Sequence, residues 1–229
     1  MGAEQTREPQ YQAHVELRDA QGLGRLGLRA NAFWETDPRG LLFSLARYKF
    51  TAKLLSGKAR VLEVGCGDAF GTRLVLQEVG AICAVDFDEV FLKDAAERQA
   101  GATRWQVEFR QHDMLAGPVP GPFDAAYALD VLEHIAPHDE RRFLANVAAS
   151  LAPHGVLVVG MPSLQSQAYA SAGSRAGHVN CKEAPALRSL MADFFHNVFM
   201  FSMNDEVVHT GFYPMANYLF ALGVEQKAG

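Results

Sequence analysis

VLEVGCGDAFGT, residues 61–72, reads as a strand that runs into a glycine turn and then a helix. Turns of this kind bring backbone N–H groups and a helix N-terminus up to a ligand. The dinucleotide form is G-x-G-x-x-G, whose third glycine lets the helix pack close beside the pyrophosphate. Here Gly65, Cys66, Gly67, Asp68 and Ala69 lead to Phe70 at the sixth position, and Gly71 arrives one residue late. A bulky side chain at 70 crowds the helix–strand contact, and Asp68 sets a negative charge where two phosphates would sit. The turn therefore disfavours a pyrophosphate and admits a ligand with an amine or a sulfonium.

On the N-terminal side of the stretch, Asp37-Pro38 reads as an N-cap and first-turn proline. Leu41, Leu45, Tyr48, Ala52 and Leu55 follow at helical spacing as far as Gly57. On the C-terminal side, the residues predict a helix over 70–79 closed by Gly80, a strand over 81–86 and a helix over 89–99 with Asp88 as N-cap. Trp105, Val107 and Phe109 alternate as in a half-exposed edge strand. Buried strands over 123–129 and 156–160 flank a helix over 139–151. This alternation implies right-handed crossovers and a mostly parallel α/β sheet with helices on both faces. The rhythm breaks at 163–182, a long polar stretch rich in Ser, Ala and Gly that reads as a lid-like insertion. A helix near 183–195 and strands near 198–203 and 218–223 complete the chain. Residues 1–36 read as an N-terminal arm or cover, and 37–229 as a single domain.

With 229 residues, 49% of them apolar, the chain is long enough for a real core. Lys and Arg number 21 against 26 Asp and Glu, a net charge of −5 that leaves no electrostatic footprint for nucleic acid or anionic lipid. Three dispersed cysteines give no disulfide framework and no zinc spacing, which fits a reducing cytoplasm. No apolar run approaches the roughly 18 residues of a membrane span. Homo-oligomerisation is left open.

The stretch resembles motif I of the class I S-adenosylmethionine-dependent methyltransferases, in which an acidic residue, an aliphatic residue and G-x-G close the first strand. Here these are Glu63, Val64, Gly65, Cys66 and Gly67, with Ala69 where a third glycine is common. Asp86 closes the second strand in AVDFD, and His112-Asp113-Met114 follows the third. Phe123-Asp124 and Leu129-Asp130-Val131-Leu132-Glu133-His134 resemble the fourth-strand motif, and residues 151–157 the turn before strand five. The resemblance covers roughly residues 40–160 and fades beyond. It implies a Rossmann-like sheet of seven strands, mostly parallel, with an antiparallel last strand. It also implies S-adenosyl-L-methionine as cofactor and S-adenosyl-L-homocysteine as product. The cofactor-binding residues it implies are Glu63, Gly65, Gly67, Asp86, Phe87, Asp113, Met114 and Leu129. Asp86 would accept hydrogen bonds from the ribose hydroxyls, Asp113 would take the adenine amino group and the Met114 backbone a ring nitrogen. Phe87 reads equally as a core aromatic or an adenine stack.

Methyl transfer from a sulfonium is an in-line displacement, and a hydroxyl acceptor benefits from a general base. The candidate catalytic residues are His178, which leads because its segment can close over an acceptor, His134 and Asp130, with His209 a further histidine to weigh. No metal is expected. His134 and His138 stand four apart with Asp130, Glu133 and Asp139 nearby, but Pro137 interrupts the helix such a pair requires. Neither a D/N-P-P-Y motif nor a Pro-Cys nucleophile follows strand four, which argues against nucleic-acid bases as acceptors. By resemblance, the acceptor is a hydroxyl or amine of a small molecule, such as a sugar, a polysaccharide precursor or a secondary metabolite. Two alternatives stand beside this: a nicotinamide-dependent oxidoreductase, and a non-catalytic cofactor-binding protein that regulates a partner.

Overall fold

A computed structural model describes residues 4–100 and 104–227. The first two helices, α1 (Gln12–Gln21) and α2 (Leu28–Thr36), belong to the N-terminal arm. Helix α3 (Pro38–Leu54) starts at the expected proline and buries Leu41, Tyr48 and Ala52 on one face, as the helical spacing requires. The chain then leaves through Gly57 at φ +80°.

Strand β1 (Arg60–Val64), helix α4 (Thr72–Leu76), β2 (Ala81–Asp86), α5 (Glu89–Gln99) and β3 (Glu108–Gln111) form successive parallel units. Next come β4 (Phe123–Leu129), α6 (Glu140–Ala149) and β5 (Leu151–Pro162). The short α7 (Ala172–Gly177) lies in the lid-like stretch, ahead of α8 (Ala184–Ala192), β6 (Phe195–Asn204), β7 (Val207–His209) and β8 (Tyr218–Gln226).

The eight strands make one sheet in the order β3-β2-β1-β4-β5-β8-β6-β7. Strand β8 is antiparallel to both β5 and β6, as the resemblance implies, and the eighth strand is β7, which pairs with β6 as a short edge hairpin. The sequence alternation around 105–109 also starts too early: Trp105 sits at φ +64°, which is incompatible with extended backbone, and the edge strand opens only at Glu108. Two apolar clusters cover the sheet, one on each face. Alternate residues of β1 divide between them, with Leu62 and Val64 in one and Val61 in the other.

The strand order reverses between β1 and β4, which are parallel neighbours. The chain leaves β1 toward one edge and β4 toward the other, so their carboxyl ends open a crevice, the place where doubly wound sheets bind ligands. The loops after the two strands touch: a side chain at Gly65 would run into Val131.

Candidate functional site

The turn after β1 is built on positive φ at Gly65 (+70°), Gly67 (+51°) and Ala69 (+50°). Glycine adopts such angles without penalty, and alanine at 69 does so at the cost of roughly 1 kcal/mol. The Gly65 and Cys66 N–H groups both donate to the Val85 carbonyl, which fixes the turn to the end of β2. Asp86 completes that junction. It accepts from the Gly67 N–H at 2.8 Å and the Asp88 N–H at 2.9 Å. Open space lies beside Gly67, and the neighbouring Phe87 ring is 73% exposed rather than part of the core.

Glu63, expected at the cofactor, lies beneath the turn instead. It is 1% exposed and accepts from Thr72 Oγ1 at 2.6 Å and the Tyr48 hydroxyl at 3.1 Å. Burial raises its carboxyl to about 7 against the pull of those donors. The residue thus braces the starts of α3's inner face and α4 against the strand. Asp113 is exposed and shapes a turn, its carboxylate accepting from the Leu115 N–H at 2.8 Å. Met114 is buried in the core and its carbonyl accepts from Asn146 Nδ2 at 2.7 Å. Leu129, also buried, packs at the end of β4.

Asp68 requires a correction. Its charge does not face a ligand. The carboxylate is buried and accepts from the Ala30 N–H at 2.8 Å and the Phe70 N–H at 3.1 Å. Ala30 is in the first turn of α2, whose leading N–H groups have no partner inside the helix, so Asp68 caps the arm from outside it. The close approach needs Gly27, where any side chain would collide with Asp68. Helix α2 is therefore docked against the turn, with a cavity of about 20 Å³ left between them.

Asp130 is also not the free catalytic group expected. It stands at φ +58° just past β4, its side chain 7% exposed. Arg47 Nη1 from α3 binds both its oxygens at 2.8 Å, and Arg29 Nη2 from α2 reaches it at 3.3 Å. The Arg47 guanidinium lies 4.0 Å from the Tyr218 ring centroid. Burial alone would raise the Asp130 carboxyl, but the two guanidinium charges outweigh it and hold the group below the ordinary carboxylate range. An ionised carboxylate with both oxygens bound to arginine is a poor proton acceptor.

The two leading histidines do come together. Their rings meet edge to face at 5.2 Å between centroids. His134, exposed on a 3-10 turn (Leu132–His134), has Nδ1 2.9 Å from the Gly177 carbonyl. His178, half-buried, has Nδ1 2.9 Å from Gln167 Oε1. Burial first, and the neighbouring His134 second, lower the His178 pKa. The lid-like stretch is held here because the Val179 and Asn180 N–H groups both donate to the Glu133 carbonyl. The Glu133 side chain is wholly buried, neither carboxylate oxygen has a hydrogen-bond partner among the described residues, and burial raises its carboxyl to about 8. His138 points elsewhere, 3.4 Å from Asp139, and His209 pairs with Asn204 on the β6–β7 hairpin. A larger cavity of about 740 Å³ lies between α8 and β6, and none of these groups lines it. Arg29, Arg47 and Glu133 went unselected in the sequence. The arginines carry no local signal on their helices, whereas Glu133 lies inside the fourth-strand motif, where nothing local marks its side chain as buried.

Residues 61–155 match the methyltransferase domain family. The ubiquinone biosynthesis O-methyltransferase of Xanthomonas campestris is 28% identical over 66% of this chain and 64% of its own length, so the chain spans just under two thirds of this curated relative. Among solved structures, the N-methyltransferase NodS of Bradyrhizobium japonicum, in complex with S-adenosyl-L-homocysteine, superposes with a TM-score of 0.58 at 19% identity, covering 82% of this chain and 86% of that one. The small RNA methyltransferase HEN1 has a TM-score of 0.65 at 15% identity over 82% of this chain and 26% of that one. The matched domain over residues 61–155 and the shared fold support a class I S-adenosylmethionine-dependent methyltransferase. No helix among the described residues is long and apolar enough to cross a membrane.

Proposed function

We propose that this chain transfers the methyl group of S-adenosyl-L-methionine to a hydroxyl or amine of a small molecule in the cytoplasm, and that 37–229 is the catalytic domain with 1–36 its cover. The observation that carries the reading is the junction of Gly67 and Asp86 at the carboxyl ends of β1 and β2. There, strained backbone, an anchored carboxylate and open space meet beside an exposed aromatic ring. Asp86 has acceptor lone pairs left for the ribose hydroxyls, and Phe87 offers its face to adenine. Asp113 and the Met114 backbone would serve the adenine edge, Leu129 would pack against the donor, and Glu63 would support the turn without touching the ligand.

In the reaction, an acceptor lone pair attacks the methyl carbon, the sulfur–carbon bond breaks, the sulfonium becomes a neutral thioether, and the acceptor's proton passes to His178 or to water. Most of the catalysis is alignment in a dry site. His178, carried by the lid-like 163–182 stretch, meets His134 after β4, and there the two handle the acceptor group. An O-methyltransferase among the relatives and an N-methyltransferase among the structures fit either acceptor atom. The acidic net charge supports a small molecule over RNA.

Calorimetric titration with S-adenosyl-L-homocysteine, beside NAD and NADP, tests the donor. Micromolar binding of the first alone is expected, and binding of a dinucleotide instead overturns the reading. Asp86→Ala is expected to weaken that binding at least tenfold, because ligand hydroxyls lose a charged acceptor. Release of S-adenosyl-L-homocysteine with an acceptor panel separates turnover from silent binding.

A further inference from the structure

We propose that Glu133, His134 and His178 form a binding site for one divalent first-row transition-metal ion at the mouth of the methyl-transfer crevice. One ligand atom from each residue lies within 4.8 Å of the other two. Two independent features turn this cluster into a site. The first is the Glu133 carboxylate, wholly buried with both oxygens unpartnered. Buried carboxylates are ordinarily paired or bound to a cation, and among the described residues no basic side chain hydrogen-bonds to this one. The nearby arginines are already engaged on Asp130.

The second feature is the tautomeric state of the imidazoles. His134 Nδ1 faces the Gly177 carbonyl oxygen, which can only accept, so Nδ1 carries the proton. His178 Nδ1 faces Gln167 Oε1. The Gln167 amide is oriented by its Nε2, which donates to the Ser163 carbonyl at 3.3 Å and to Ser166 Oγ at 3.2 Å, so its oxygen is the atom turned toward the histidine. Both rings therefore hold Nδ1–H in a hydrogen bond to oxygen and leave Nε2 as a free lone pair, the arrangement in which outer partners prepare histidines for a metal.

The backbone between these ligands is held as well. Val179 and Asn180 donate to the Glu133 carbonyl, Asn180 Nδ2 reaches Glu140 at 2.8 Å, and Lys182 pairs with Glu140 at 2.7 Å. Two imidazoles and one carboxylate suit zinc, iron, cobalt or manganese and disfavour magnesium and calcium, which take oxygen. Three protein ligands leave coordination positions for water or an acceptor oxygen. That last use rests on the methyl-transfer reading and favours a hydroxyl acceptor, whereas metal binding itself does not depend on it. The sequence suggested the wrong partner for His134, since His138 is adjacent in sequence and His178 is adjacent in space.

Tag-free protein, stripped with a chelator, is titrated with Co²⁺ alone by visible ligand-field absorption and with Zn²⁺ by calorimetry, and S-adenosyl-L-homocysteine affinity is measured on the same samples. One ion per chain is expected. His178→Ala is expected to weaken binding at least 100-fold, and Gln167→Ala, which keeps all three ligands, 10–100-fold. Both residues belong to the half-buried lid-like stretch, so unchanged homocysteine-ligand affinity certifies a folded crevice. Absence of stoichiometric binding, or binding that His178→Ala leaves intact, overturns the site. Metal binding without donor binding sinks only the methyl-transfer reading, and the reverse result sinks only the metal site.

Discussion

Replacing Asp130 by asparagine removes one charge and little else. Asparagine tolerates the left-handed backbone at this position, φ +58°, and keeps one carbonyl oxygen for Arg47. What it loses is the anion between two guanidiniums. Breaking a buried pair by deleting one partner costs about 3–5 kcal/mol, because the remaining charge stays buried. Two features reduce that here: the Arg29 side chain is 44% exposed and can return to water, and Arg47 keeps its stacking on Tyr218. We expect a loss of about 2–4 kcal/mol, or roughly 4–16 °C in melting temperature for a domain of this size. By contrast, Arg29→Ala breaks one ion pair of a half-exposed group and its stacking over Phe33, and should cost about 1 kcal/mol. Urea unfolding followed by circular dichroism, with the slope unchanged, measures both. Arg47→Met combined with Asp130→Asn should recover more than half of the single-variant loss, since the stranded buried cation is gone.

The pH dependence follows from the same pair. The folded Asp130 pKa lies below the ordinary value, so its stabilisation is present above the unfolded pKa of about 4 and is lost as pH falls through the folded one. The gap between wild type and Asp130→Asn should therefore narrow below about pH 4. If Asp130→Asn costs no more than Arg29→Ala at pH 7, the carboxylate is not holding Arg47 in the core and the reasoning fails.

Glu63 shows the opposite pH behaviour: its folded pKa is raised to about 7, so stability is greatest below the unfolded value and declines as pH rises through 7, by on the order of 3 kcal/mol. Glu63→Gln should flatten that decline, as urea midpoints at pH 5 and pH 8 would register. Gly65→Ala combines a left-handed backbone with a collision on Val131 and should cost about 2–4 kcal/mol, whereas Gly67→Ala meets open space, costs about 1 kcal/mol and blocks the donor. Equal melting temperatures for these two variants would contradict the geometry. Asp68→Ala strips the external cap from α2 and should release the arm, seen as faster limited proteolysis before residue 37 at nearly unchanged core stability.

The parts of this structure that are legible in sequence are those whose physics is local. Strands β2 and β4 and helix α5 keep the boundaries expected of them, and β1 falls where the opening stretch reads as a strand, because continuous apolar runs, a capping Asp88 and flanking glycines are contiguous signals. The helix expected over 70–79 shortens to Thr72–Leu76 for a tertiary reason: Ala69 prolongs the left-handed turn, and Gly71 must lie against Tyr48 of α3 before the helix begins. Asp86 and the glycines reach the crevice because one strand–turn unit carries them there. Asp68 could be misread because its partner is a backbone N–H in the arm, and Asp130 because both its partners come from helices whose outer faces look ordinary.

Asp130 and Glu133 lie within one short segment after β4, yet the fold treats their charges in opposite ways. The arm and α3 bring two arginines to Asp130 and use its charge to seal the cover onto the crevice. Among the described residues, the lid-like stretch hydrogen-bonds to Glu133 through its backbone carbonyl and leaves its carboxylate without a hydrogen-bond partner, although it brings an imidazole beside it. A segment selected for stability alone would gain from converting Glu133 to an apolar residue of similar volume, as replacement of buried ionisable groups commonly does. On the proposed reading the two carboxylates do different work: one ties α2 and α3 to the loop after β4, and the other is kept free for a ligand that the protein chain does not itself provide.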